Sequence, residues 1–115
     1  MPLTLDPPPP VRVYRDADGD LRAEAGAGEG LLAAFLESDV QGSLAVGREL
    51  LEAIARVVAG DLPRFEWTGN AHTLTLTRKT ARIRREVDPE APALRRPLAL
   101  FHAALEAWLQ ALSEG

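Results

Sequence analysis

The chain has 115 residues, a formal net charge of −4, 46% hydrophobic and 26% charged residues, and no cysteine. Such a length specifies one domain that buries roughly two-thirds of its unfolded surface in a single core, and the composition excludes wholesale disorder. The acidic balance argues against a general binder of nucleic acid or anionic membrane, and the missing cysteines exclude disulfides, thiolate metal ligands and cysteine nucleophiles.

No apolar run approaches the ~20 residues that span a bilayer, so no membrane partner is expected. Met1 to Asp6 lacks the basic start and apolar run of a secretory signal, which together with the absent cysteines points to the cytoplasm. Pro7 to Pro10 fix φ and remove N–H donors, predicting an extended proline-rich arm over 1–10 ahead of a single domain over 11–115.

Val11 to Tyr14 and Leu21 to Ala25 alternate in polarity around Asp18-Gly19, a strong hairpin signal. The acidic turn from Asp16 to Asp20 fails the spacing of a calcium loop, with glycine at the fourth position counted from Asp16 and Ala27 at the twelfth. Gly26-Ala27-Gly28-Glu29-Gly30 lacks the third-glycine spacing of a dinucleotide loop and carries Glu29 where an anion would sit, so it reads as a connector. Leu31 to Glu37 reads as a helical turn or two, with a strand as the alternative.

The stretch from Asp39 to Gly60 organises the rest. Val40, Leu44, Gly47, Leu51, Ile54 and Val58 recur at spacings of four and three, which at about 100° per residue is one helical stripe. Val46, Leu50 and Val57 widen it. Ser38 or Asp39 is the expected N-cap, and Gly60 the left-handed C-cap, with Pro63 beyond it.

After Pro63 the period becomes two. Arg64 to Thr68 and Ala71 to Thr77 flank Gly69-Asn70, read as a two-residue loop that pairs Trp67 with His72 and Phe65 with Leu74. Arg78-Lys79 is a second tight turn into a strand from Thr80 to Val87, pairing Leu76 with Ala81, Leu74 with Ile83 and His72 with Arg85. Phe65, Trp67, Leu74 and Leu76 then face the core, while Glu66, Thr68, Thr73, Thr75, Thr77, Arg82 and Arg84 face outward. Asp88 to Pro92 reads as a loop. A second helix begins near Pro97, with Leu98, Phe101, Leu105, Trp108, Leu109 and Leu112 on one arc and an alanine-rich remainder. The expected fold is α+β: an antiparallel sheet of about five strands in the order ββ-α-βββ-α, with both helices on one face.

This order, with Trp67-x-Gly69-Asn70-x-His72-Thr73-Leu74-x-Leu76 and a last helix carrying Phe101 and Trp108, resembles the YacL-like proteins, a small bacterial family of uncharacterised proteins. The likeness covers Val11 to Leu112 and implies the fold, not an activity; the proline arm and the arginine-rich strand depart from it. Phe65 to Leu112 is also similar in pattern to small immunity proteins of bacterial toxin systems.

Two constellations are candidate partner- or anion-binding sites. Arg78, Lys79, Arg82, Arg84 and Arg85 place five positive charges in eight residues. Beside outward threonines they form a ribbon able to donate to phosphate, or a solvated face that discourages edge pairing. Trp67, His72 and Arg85 form a row able to hold an anion or a partner's carboxylate; the ordinary reading, a snorkelling arginine and a satisfied half-buried histidine, is favoured. His72 and His102 lack metal-ligand spacing and no serine sits in a nucleophile elbow, so neither catalysis, metal nor cofactor is expected. The expected function is a non-enzymatic protein-interaction module, an adaptor or toxin-neutralising protein, binding another protein or itself as a homodimer through its alanine-rich helix or a sheet edge. The alternative is a nucleic-acid binder using the Arg78–Arg85 hairpin.

Overall fold

The computed structural model describes residues 11–26, 28–88 and 90–114; the expected proline arm lies outside them. Strands β1 (Val11–Arg15) and β2 (Leu21–Ala25) lead to helix α1 (Gly30–Phe35), a π-helical turn (Leu36–Val40) and helix α2 (Leu44–Ala59). Strands β3 (Phe65–Thr68), β4 (His72–Leu76), β5 (Thr80–Arg85) and β6 (Leu94–Pro97) follow, and helix α3 (Leu98–Glu114) closes the chain. The class is α+β as expected, but the strands form two antiparallel sheets: β1-β2, and the meander β3-β4-β5-β6.

The hairpin β1-β2 is set apart because its apolar face has another surface to cover. Val11, Val13, Ala23 and Ala25 are cross-strand partners on one side, and Arg12 and Glu24 form an ion pair at 2.8 Å on the other. That apolar side packs on α1, the π-helical turn and α3. In turn α1 and α3 reach β5, and α2 rests on β4 and α3. The helices are thus a middle layer between a small sheet and a large one. Phe35, Leu50, Leu74, Leu76, Phe101, Leu105 and Trp108 are its buried centre. The acidic turn is explained by its own backbone: Asp16 Oδ1 accepts from the amides of Asp18 and Asp20 at 2.9 and 3.0 Å.

The long helix starts later than its periodicity implies. Ser43, not Ser38 or Asp39, caps α2, its Oγ accepting from Val46 N at 3.1 Å. Asp39 and Val40 belong to the preceding turn. The break is at Gln41, whose φ of 51° no helix tolerates. Three bonds hold it there: Gln41 N donates to Leu36 O, its side chain to Ser38 O, and Trp108 Nε1 donates to Gln41 O. The buried stripe of α2 is centred on Gly47, Leu50, Ala53, Ile54 and Val57, while Val58 is half exposed. Gly47 is where α3 comes close, since a Cβ there would overlap the side chain of Leu109. Gly60 ends the helix with φ 85°, as expected.

In the large sheet, β4 and β5 pair as expected, Leu76 with Ala81 and His72 with Arg85. The β3-β4 register is shifted by two: Trp67 pairs with Leu74, and Thr68 with Thr73, so the loop between the strands is Gly69 to Ala71, closed by Gly69 N donating to His72 O, rather than Gly69-Asn70. A shift of two preserves every side chain's face, and the predicted core residues keep their side. Strand β6 falls where only a loop and a helix start were expected, and β5 ends at Arg85, short of Val87.

Candidate functional site

The helices cover one face of the large sheet. On the other, neighbouring strands place Glu66, Thr75, Arg82 and Arg95 in one row, because Glu66 pairs with Thr75, Thr75 with Arg82, and Arg82 with Arg95. Arg84 lies in the next row opposite Thr73. Arg82 and Arg95 are exposed, and among the described residues neither has an ion-pair partner. Like charges directly across a ladder repel, by roughly 0.2–1 kcal/mol. Arg84 has only a loose contact, its guanidinium 3.8 Å from Glu86. The threonines are less available than expected. Thr73 is buried between Thr68, whose hydroxyl is 3.1 Å from its own, and the half-buried Arg84.

The five charges of the basic hairpin are therefore divided. Arg82 and Arg84 share the open face with Arg95, which sequence reasoning missed because Leu94-Arg95-Arg96-Pro97 does not alternate cleanly. The break is Arg96, which points inward and is neutralised by Glu29 at 2.7 Å. Arg78 and Lys79 are exposed in the β4-β5 turn, where Lys79 O accepts from Leu98 N. Arg85 lies on the opposite face from Arg82, beside His72.

The row Trp67–His72–Arg85 does not assemble as expected. With the register shifted, Trp67 stands two residues away, its ring edge-on to Phe35 at 5.9 Å. His72 is buried, not half-buried, and Asp39 holds it. Asp39 Oδ1 is 3.0 Å from His72 Nδ1, and Oδ2 accepts from the amides of His72 and Ala71 at 3.0 and 3.2 Å. Asn70 Nδ2 donates to Ser38 O at 2.8 Å. Gly69 has no side chain because a Cβ would meet both Asp39 Oδ2 and the Trp67 ring. The Trp67-x-Gly69-Asn70-x-His72 motif is thus a clamp between the β3-β4 loop and the π-helical turn. Ser38, Asp39 and His72 are together, but Ser38 Oγ bonds to Asp39 and lies 3.4 Å from Nδ1, the nitrogen Asp39 already uses. A nucleophile relay needs the serine at the other nitrogen, so this trio fastens a loop instead of activating a hydroxyl.

Beside the clamp is a cleft of about 560 Å³, whose lining includes Leu31, Ala34, Ser38, His72, Arg85 and Val87. Among the described residues, the one acidic group that could seat a metal is the trio Asp16, Asp18 and Asp20, in which the Asp16 carboxylate already accepts from the amides of the other two. No helix among these residues is long and apolar enough to cross a membrane. Against family models, curated proteins and solved structures the chain finds no match, so the open arginine face and the His72 cleft are where its function is sought.

Proposed function

We propose that this chain is a non-enzymatic interaction module of the cytoplasm that binds an acidic protein surface through the open face of its large sheet. The observation that carries this reading is the cross-strand pair of Arg82 and Arg95, exposed, adjacent and without carboxylates of their own. A partner's carboxylates would relieve that repulsion and accept bidentate hydrogen bonds. A stoichiometric role of this kind suits an adaptor or a toxin-neutralising protein, in keeping with the pattern likeness of Phe65 to Leu112 to immunity proteins.

Nucleic acid is the second reading, because the same arginines and hydroxyls suit phosphate. It is less favoured: Phe65 and Trp67 lie on the helix-covered side, leaving the open face without a stacking platform. Self-association through the alanines of α3 is a further reading, with Ala104 buried in this chain's own core but Ala99 exposed and Ala103, Ala107 and Ala111 partly so. Capture from a native lysate, with and without nuclease and with the Arg82→Glu/Arg95→Glu double variant alongside, tests the proposal. A partner protein that survives nuclease and is lost with the double variant supports it. Loss on nuclease treatment would transfer the face to nucleic acid, and indifference to the double variant would remove the face from consideration.

A further inference from the structure

The cleft beside the clamp is independent of the open sheet face, and its chemistry is specific. His72 is 4% exposed, yet it hydrogen-bonds within the described residues only through its backbone and Nδ1, leaving Nε2 without a partner while the residue lines the cleft. Its cross-strand neighbour Arg85 brings an exposed guanidinium to the same wall, with no ion-pair partner among the described residues. The other charges of the lining are already matched. Glu37 accepts from Ala23 N at 2.7 Å and stands 3.6 Å from Arg22, so it does not compete for Arg85. With Arg22 and Glu37 beside each other, Arg85 is the guanidinium of the lining left without an ion-pair partner among the described residues. Leu31, Ala34 and Val87 supply an apolar wall. A volume of about 560 Å³ is in the range of small-molecule sites.

We infer that this cleft binds a small organic monocarboxylate with an apolar body, its carboxylate on Arg85 and its body against Leu31, Ala34 and Val87. One unpaired guanidinium selects one carboxylate over a di-acid. The apolar wall selects a hydrocarbon body over acetate or an inorganic anion. Asp39 fixes the imidazole before the ligand arrives, and the exposed Arg85 side chain is what binding still has to order.

Titration of the full chain with sodium octanoate, followed by amide NMR shifts, tests this, with octanol and sodium acetate as probes lacking the charge and the body. The expected result is saturable shifts confined to Leu31, Ala34, Ala71, His72 and Val87, with both control probes weaker by about tenfold or more, the scale of one charge-assisted contact. Arg85→Gln should weaken octanoate by a similar factor, whereas Arg82→Gln on the opposite face should leave it unchanged. Octanol binding as well as octanoate, shifts scattered over the surface, no saturation at millimolar octanoate, or an Arg85→Gln variant that binds normally would each overturn the assignment. The comparison of the three probes on the unaltered chain needs no variant to fold.

Discussion

The molecule has two concentrations of polar groups that bear on its function, and they are built on opposite rules. Around Asp39 every near neighbour is complementary: a carboxylate with no side-chain exposure meets an imidazole and two backbone amides, and a glycine makes room for it. On the open sheet face, two arginines are set directly across from each other, and among the described residues neither forms an ion pair. The first arrangement has the form of a fastening, complete within the chain. The second is incomplete within the chain, and incompleteness is what leaves a surface something to gain from a partner. Near in sequence, His72 and Arg82 therefore belong to different problems.

Breaking the fastening should have the largest effect. Asp39→Ala leaves the amides of Ala71 and His72 and the His72 ring without their acceptor, and each buried donor left unsatisfied costs about 1–3 kcal/mol. Urea denaturation should show the midpoint falling by a corresponding amount, and a loss below about 1 kcal/mol would mean that water replaces the carboxylate. Gly69→Ala should come next, at about 1–3 kcal/mol, because the added methyl must displace either Asp39 or the Trp67 ring. The two changes act on one contact, so the double variant should lose less than the sum of the singles. Ser43→Ala is the control outside the clamp. It removes only the cap of α2 and should cost about 1 kcal/mol, additively with Asp39→Ala.

The clamp also marks where the sequence was legible and where it was not. The faces of the large sheet followed from alternation alone, and they survived a wrong loop length because the register error was two residues rather than one. The start of α2 did not follow. Val40, Leu44 and Gly47 keep helical spacing straight through Gln41, where the chain turns, and one of the three bonds that hold the turn comes from the distant Trp108 indole. Strand β6 was hidden for a similar reason. Its inward Arg96 is tolerable only because Glu29 lies across a gap of 67 residues in sequence. Period-based reading sees each segment's own pattern, and both misses are segments whose conformation a remote partner helps to settle. The separation of the hairpin β1-β2 into its own sheet is of the same kind, since its alternation fits either sheet and only the helix layer decides. Of the candidate residues, Arg78, Lys79, Arg82, Arg84 and Arg85 were conspicuous by charge density, whereas Arg95 and Asp39 needed the fold to place them.

The smallest expected effect sharpens the comparison most, because its sign is unusual. Arg95→Glu puts a carboxylate opposite Arg82 in place of a like charge, so the variant should be more stable than the parent, by roughly 0.2–1 kcal/mol. The gain should shrink as salt rises, since both groups are exposed and the Debye length falls to about 3 Å at 1 M. The same substitution should weaken capture of an acidic partner, because Arg82 would then be satisfied within the chain. Stability and binding would move in opposite directions from one side chain, as expected of a surface kept unneutralised for use. If Arg95→Glu instead destabilised the fold, the arginine pair would be part of the sheet's own architecture, screened or stacked in a way that needs no partner. The face would then resemble the Asp39 clamp, and the two regions would differ in exposure rather than in purpose.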